Sequence, residues 1–462
     1  MPETTSTLQA GEGIPLAQRR AAMAAVLMSV GMATLDTAIA NTALPTMARD
    51  LGADASASIW IVSAYQLAVI AALLPFASLA DTIGHRRVYM WGISVFTLAS
   101  LLCGVAWSLP LLAGARLLQG LGGAGIMSAN LALIRFIYPT NLLGRGAGLN
   151  ALAVAVCFTI GPSVASLILS VASWHWLFLI NVPIGVASML LSQRFLPSTQ
   201  RGGARFDGRA ALLSAAMFTL LILGIDAIGH GSPWPTIVAE LASGSVCCAL
   251  LLRRQAGHAA PMLAVDLFRI PVFALSSLTS ICSFTTQGLA FVALPFLFQH
   301  GMGRSQVAAG FLMTPWPAVV GVMAPLAGRL SDRYPTGILG GIGLALLAIG
   351  MALVAILPAE PSTLDIVWRM MLCGAGFGFF QSPNLRAMMS SAPARRAGGA
   401  SGVVATSRQF GQTSGAAMVA LCFGLSAVDG PRLALWLGCG FAGLGTIVSL
   451  LRLAAPKPGA KP

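Results

Sequence analysis

Along this chain the apolar residues gather in runs of about 20, each bounded by charge, proline or glycine. A helix of that length, at about 1.5 Å per residue, matches the ~30 Å hydrocarbon core of a bilayer. Fourteen predicted helices follow, at 21–45, 57–80, 88–108, 110–134, 147–170, 175–196, 209–229, 234–252, 271–299, 306–330, 336–358, 365–391, 397–425 and 431–453. The fold class this predicts is an all-α polytopic membrane protein.

Composition sharpens that picture. The 462 residues are 56% apolar and only 9% charged, and the mean hydropathy is +0.82. A soluble domain carries about 25% charged residues because its surface must face water, so a soluble enzyme is excluded. The net charge of +13 would suit a nucleic-acid binder, but the basic residues fall between the spans. With the N-terminus inside, 21 of the 27 lie in inner loops or at inner span ends; the other six are Arg49, Arg116, Arg304, Arg369, Arg408 and Arg432. Positive loops stay on the cytoplasmic side, so both termini are expected in the cytoplasm of an inner-membrane protein. The eight cysteines lie in apolar stretches with no CxxC or Cys/His spacing and read as small packing residues. Residues 1–18 are polar and predict no removable signal peptide.

An internal repeat is legible in the chain itself. Ala43-Leu44-Pro45 recurs as Ala293-Leu294-Pro295, Leu79-Ala80-Asp81 as Leu330-Ser331-Asp332, and Arg116, Gly120 and Gly122 as Arg369, Gly374 and Gly376. Gly161 likewise corresponds to Gly411. The shared offset of about 250 residues equals eight spans, an even number, so the two copies run parallel. The expected organisation is a tail at 1–20, a six-helix half at 21–196, a linker at 197–208, two inserted helices at 209–252, a linker at 253–270, a second six-helix half at 271–453, and a tail at 454–462. Such a plan suits a substrate site at the midplane seam between the halves.

Ionisable groups inside a bilayer cost about 2.5–3.5 kcal/mol or more, so each calls for a partner, a wet cavity or a function. Asp36 lies well inside the first span, Glu240 inside the eighth and Asp226 near the outer end of the seventh; Thr286 stands where the repeat would place a counterpart of Asp36. Counting back from the outer ends, Asp36 sits about 13 Å deep and Arg116 of the fourth span about 9 Å deep, so the two are able to meet. Burial favours the neutral acid and a guanidinium favours the carboxylate, so alternating these environments would load and release a proton. The competing reading is a static ion pair that fixes helix packing. Gly120-Leu121-Gly122-Gly123 lies within an apolar helix and reads as a close-approach surface, not a phosphate cradle. Gly161-Pro162 removes a backbone donor and marks a bending site. His175, between Trp174 and Trp176, reads as an interfacial anchor. No catalytic grouping or metal-ligand spacing stands out.

Several stretches resemble the fourteen-span drug:proton antiporter branch of the major facilitator superfamily. Leu35-Asp36-Thr37-Ala38-Ile39-Ala40-Asn41-Thr42-Ala43-Leu44-Pro45 resembles its first-span motif, and Leu79-Ala80-Asp81-Thr82-Ile83-Gly84-His85-Arg86-Arg87 the gating motif of loop 2-3. Here Ala77 replaces the leading glycine, and Thr82 and His85 replace basic residues. Arg116-Leu117-Leu118-Gln119-Gly120-Leu121-Gly122 is similar to the span-4 motif, and Gly161-Pro162 to the span-5 antiporter motif, with Ala165 and Ser166 where a glycine pair is common. Ser173 through Gly185 and Arg408-Gln409-Phe410-Gly411 are similar to further stretches of the same branch.

The resemblance implies two six-helix parallel repeats plus two inserted helices. It also implies a proton-coupling pair, Asp36 and Arg116, and a gate at Asp81, Gly84, Arg86 and Arg87, with Asp332 and Arg333 as the gate of the second half. The candidate cavity residues are Asn41, Gln66, Gln119, Gln287, Phe291 and Trp316. Span 10 has no acid, so stacking and apolar contact are expected to hold the ligand. The expected function is export of hydrophobic or weakly cationic small molecules in exchange for protons. It needs no cofactor beyond the proton gradient, no metal and no nucleic acid, and the protein is expected to work as a monomer in lipid. Two alternatives share the scaffold: export of an endogenous metabolite or signal, and passive facilitation with structural intramembrane charges.

Overall fold

The computed structural model describes residues 13–139, 142–198, 206–229, 231–256, 262–358, 360–393, 396–426 and 428–454. Among these, the chain is helical throughout, with no strand. We label the long helices α1 (Leu16–Asp50), α2 (Ala55–Ile83), α3 (His85–Gly104), α4 (Leu109–Ile137), α5 (Leu143–Val171), α6 (Trp176–Phe195) and α7 (Gly208–Ile228). They continue as α8 (Trp234–Gln255), α9 (Pro271–Gly301), α10 (Gln306–Leu330), α11 (Thr336–Ala355) and α12 (Thr363–Ser391), then α13 (Ala397–Leu425) and α14 (Gly430–Leu451). Thirteen of them are long and apolar enough to cross a membrane. The exception is α13: its 29 residues suffice in length, but Ser407, Arg408, Gln409, Gln412, Thr413 and Ser414 make it polar. Composition alone therefore does not carry the expected count of fourteen. Of the basic residues used for orientation, Arg201, Arg205, Arg395, Lys457 and Lys461 lie outside the described residues.

Local chemistry fixes several helix ends. Asp54 accepts a hydrogen bond from Ala57 N at 2.6 Å, and Ser305 and Ser362 accept from Ala308 N and Asp365 N at 3.2 and 3.1 Å. Gly84 separates α2 from α3 with φ 103°, a conformation open to glycine and strained for other residues.

The packing repeats with a shift of eight helices. α1 packs on α5 and α6, and α9 on α13 and α14; α4 packs on α2 and α3, and α12 on α10 and α11. The glycine contacts recur as well. A Cβ on Gly120 would meet the Tyr65 carbonyl oxygen at 2.3 Å, and one on Gly374 would meet that of Trp316 at 2.3 Å. Gly122 stands in the same way 2.4 Å from Phe96 N, and Gly376 2.4 Å from Leu347 N. These are backbone-to-backbone approaches that any side chain would wedge apart. The halves meet along α1–α9, α5–α10 and α2–α13, while α7 pairs with α8 and packs on both α2 and α13.

Closure is one-sided. Where α1 ends, Ile39, Leu44 and Met47 share a buried cluster with Leu289, Val292, Phe296, Val419 and Phe423 of the other half. Thr46 donates to Gln306 at 2.9 Å, and Gln306 donates to the Leu169 carbonyl at 2.9 Å. Toward the end where α1 begins, α5 has no buried residue between 147 and 160, and α10 only Ala327 between 318 and 330. The seam between α5 and α10 is thus shut at one end and open at the other.

Candidate functional site

The depth count that places Asp36 level with Arg116 is met by a direct contact. Arg116 Nη1 donates to Asp36 Oδ2 at 2.5 Å, with both side chains shielded at 0% and 1% exposure. The other carboxylate oxygen, Oδ1, accepts from Gln119 Nε2 at 2.9 Å and from Asn181 Nδ2 at 2.8 Å. Arg116 is held in turn: Nε donates to the Ile61 carbonyl at 2.9 Å and Nη1 to Gln119 Oε1 at 2.5 Å, and the guanidinium lies 4.4 Å from the Tyr65 ring centre. Gln119 also donates to Ser100 Oγ at 2.9 Å. Five helices therefore converge on one carboxylate: α1, α2, α3, α4 and α6. A guanidinium and two amide donors thus occupy the acceptor positions of both carboxylate oxygens.

The pair lies inside the first half and away from lipid, since its neighbours are the packed faces of α1, α2 and α4. Among the described residues the second half has no such pair. Thr286 donates its hydroxyl to the Cys282 and Gly438 carbonyls, both at 3.0 Å. Arg369, the repeat partner of Arg116, bonds Asp365 at 2.9 Å near the start of α12.

The other sequence candidates are placed as follows. Gln119, expected in the substrate cavity, belongs to the Asp36 cluster and is fully buried. Asn41 and Gln66 are buried, each with a side-chain oxygen that has no partner. Gln287 accepts from Gln412 at 2.8 Å. Phe291 stacks between Phe158 of the first half, at 5.1 Å, and Trp316, at 5.4 Å, and both Phe291 and Trp316 sit in the apolar core of the second half. A Cβ on Gly161 would meet that of Ala38 at 2.4 Å, so α5 approaches α1 two residues beyond Asp36; Pro162 follows within α5.

The contacts of the two gate candidates are as follows. Asp81, 68% exposed, pairs with His85 at 3.4 Å across the break at Gly84, and not with Arg86 or Arg87. Arg86 instead donates to the Gln193 carbonyl at 2.5 Å, and Arg87 is exposed. Asp332 pairs with Arg386 of α12, not with its neighbour Arg333; Arg386 also donates to Ser331 at 3.1 Å. Asp226 is buried on α7 and Glu240 lies on α8, which packs on α7 outside the two halves.

Sequence reasoning missed Asn181 and Ser100 as members of the Asp36 cluster. Asn181 lies within a quoted motif, but only contact geometry gives it a role. It also assigned nothing to Arg408, although a lone arginine within a span is itself a signal.

A sequence model of the Major Facilitator Superfamily matches residues 26–416. "Uncharacterized transporter YebQ" of Escherichia coli (strain K12) is 48% identical over 448 residues, covering 96% of this chain and 98% of that one. "Riboflavin transporter RibZ" of Clostridioides difficile (strain 630) is 29% identical over 404 residues, 87% of each chain. "Multidrug resistance protein Stp" of Mycobacterium tuberculosis (strain CDC 1551 / Oshkosh) is 30% identical over 433 residues, 92% of this chain and 77% of that one. The fold is similar, with a TM-score of 0.70 at 14% identity over 96% of this chain and 100% of the other, to a bacterial homologue of the lysosomal transporter Spinster in its inward-facing, unoccupied conformation. Sequence match, repeated six-helix packing and membrane-length apolar helices together place the chain in the Major Facilitator Superfamily, as a multi-pass membrane transporter.

Proposed function

We propose that this protein exports apolar small molecules across the inner membrane in exchange for protons, by alternating access. In this reading α13 is the fourteenth span, both termini are cytoplasmic, and the open seam faces the cytoplasm. The observation that carries the reading is the lone Asp36–Arg116 pair, buried in the first half and without a charged counterpart in the second. The identity with Stp supports efflux of foreign compounds; the similarity to RibZ supports the alternative of a metabolite.

The pair gives the cycle its switch. In the state described here Asp36 is sealed, held by Arg116, Gln119 and Asn181. When the halves rock and water enters beside α1 and α4, a proton neutralises Asp36 and cancels its attraction for Arg116. The same two amides lose their best acceptor, so the cluster loosens and the protonated state favours the other packing. Return to the sealed state re-forms the donors around Oδ1 and Oδ2 and expels the proton inward. Gly161-Pro162, against α1 at Ala38, is where α5 flexes as this happens.

The test is transport in proteoliposomes with an imposed pH gradient. Asp36→Asn is expected to abolish uphill export while leaving downhill flux of the same compound. Undiminished uphill export by that variant would remove Asp36 from the mechanism. Net flux indifferent to reversal of the gradient would establish the passive facilitator instead.

A further inference from the structure

α13 runs through the seam with α9 on one side and α2 and α7 on the other, and its side chains sort by angle at 100° per residue. Gly411 and Gly415 face α9, where a Cβ on either would meet α9 backbone at 2.7 and 2.4 Å. Phe410 faces α7, 6.2 Å from Phe218, and Ala417 packs with Leu67 of α2 and Ile222 of α7. The sector between the α9 contact and the α2 contact holds Arg408, Gln409 and Gln412, with Gln412 bonded to Gln287 of α9. Arg408 therefore projects toward the space between the halves, about 17 Å from one end of its helix and 25 Å from the other.

Among the described residues Arg408 has no ion pair and no hydrogen bond. Its Nε is buried without an acceptor, and its guanidinium lies 5.8 Å from the Phe284 ring centre. Asp50, Asp81 and Asp365 lie at helix ends, and the acids farther inside the membrane-length helices leave it unmatched. Asp36 is committed to Arg116, Gln119 and Asn181 in the other half, Glu240 lies on peripheral α8, and Asp226 lies on α7, the side to which Phe410 and not Arg408 points. A cation at this depth is costly unless something satisfies it.

We propose that the transported compounds satisfy it: they are aromatic or apolar bodies bearing a carboxylate or sulfonate that Arg408 binds. The guanidinium offers a planar donor fork suited to such an oxyanion. Phe284, stacked edge-on with Phe377 at 5.4 Å, offers an aromatic wall beside it, and the Gln287–Gln412 amides offer further hydrogen bonds. This assignment replaces the weakly cationic ligand expected from the sequence, since no described carboxylate faces that space to attract a cation. It rests on the transporter reading above but not on proton coupling.

The test is equilibrium binding to the full chain in nanodiscs, without any gradient, using one ring with three charges: 2-naphthoate, 2-naphthamide and 2-naphthylmethylammonium. The wild type is expected to bind the carboxylate most tightly. Arg408→Gln is expected to weaken naphthoate by about tenfold or more and to leave naphthamide within about twofold. Arg408→Lys is expected to retain part of the preference, which a purely steric role would not. The assignment is overturned if the wild type shows no preference for the carboxylate, if Arg408→Gln leaves naphthoate unchanged, or if it weakens all three alike. Should Arg408→Gln fail to fold, the wild-type preference and the lysine variant still decide. Asp36→Asn separates the two proposals: kept naphthoate preference with lost uphill export supports both, and kept uphill export defeats proton coupling while leaving Arg408 in place.

Discussion

Replacing Arg116 by leucine would remove a cation while leaving Asp36 where water does not reach it. Both side chains are shielded, at 0% and 1% exposure, so no solvent compensates for the loss. The remaining donors, Gln119 at 2.9 Å and Asn181 at 2.8 Å, are neutral dipoles and do not cancel a full charge. Breaking a buried pair by removing one partner costs about 3–5 kcal/mol. The lost bond to the Ile61 carbonyl and the lost contact with Tyr65 at 4.4 Å push the expectation to the upper part of that range. Removing both partners, Asp36→Leu with Arg116→Leu, takes away charge and countercharge together and is expected to lie within about 2 kcal/mol of the wild type. The two single substitutions are then strongly non-additive, with a coupling of about 5 kcal/mol or more. Reversible unfolding of the purified chain in mixed micelles, followed by tryptophan fluorescence, measures all four corners of the cycle. Additive costs, or an Arg116→Leu variant as stable as the wild type, would refute the buried pair.

Three further outcomes are expected. Asn181→Leu removes one charge-assisted bond to Oδ1, worth about 1.5–3 kcal/mol, and should lower proton-driven export by tenfold or more with naphthoate binding unchanged. Gly122→Ala and Gly376→Ala place a methyl group 2.4 Å from a facing backbone nitrogen in each half, and should destabilise by similar amounts, about 1–3 kcal/mol, in the same unfolding assay. Outside the spans, Arg396 bonds Asp266 at 2.5 and 2.9 Å and holds its carboxyl below the usual carboxylate range. A depressed acid stabilises the fold above about pH 4 and loses that effect as pH falls through its folded value. The site is half exposed, so Asp266→Asn should cost under about 1 kcal/mol at pH 7, with the difference from wild type vanishing below about pH 4.

The helices and the repeat were legible because a bilayer imposes one length and one composition on every span, and duplicated packing keeps the same glycines. Gly120 and Gly374 touch equivalent carbonyls on equivalent helices. Asp36 and Arg116 were legible because depth along a helix follows from counting residues. What depth does not give is azimuth, and so Asn181, level with Asp36 but on α6, went unassigned, and Gln119 was placed in the cavity when it turns toward the acid. The contacts of the gate residues likewise depend on azimuth. Arg333 is the neighbour of Asp332 in sequence, but consecutive residues on a chain do not face each other, and the partner comes from Arg386 on α12.

The inserted pair α7–α8 lies along only one flank of the molecule. α7 fills the junction of α2 with α13, and no described element does the same for α5 and α10. A greasy solute dissolved in the leaflet on the open side therefore finds a bare doorway on one flank and a bolted one on the other. Lateral entry would be single-sided, and a bulky residue at Leu152 or Val322 should hinder partitioned compounds more than those arriving from water.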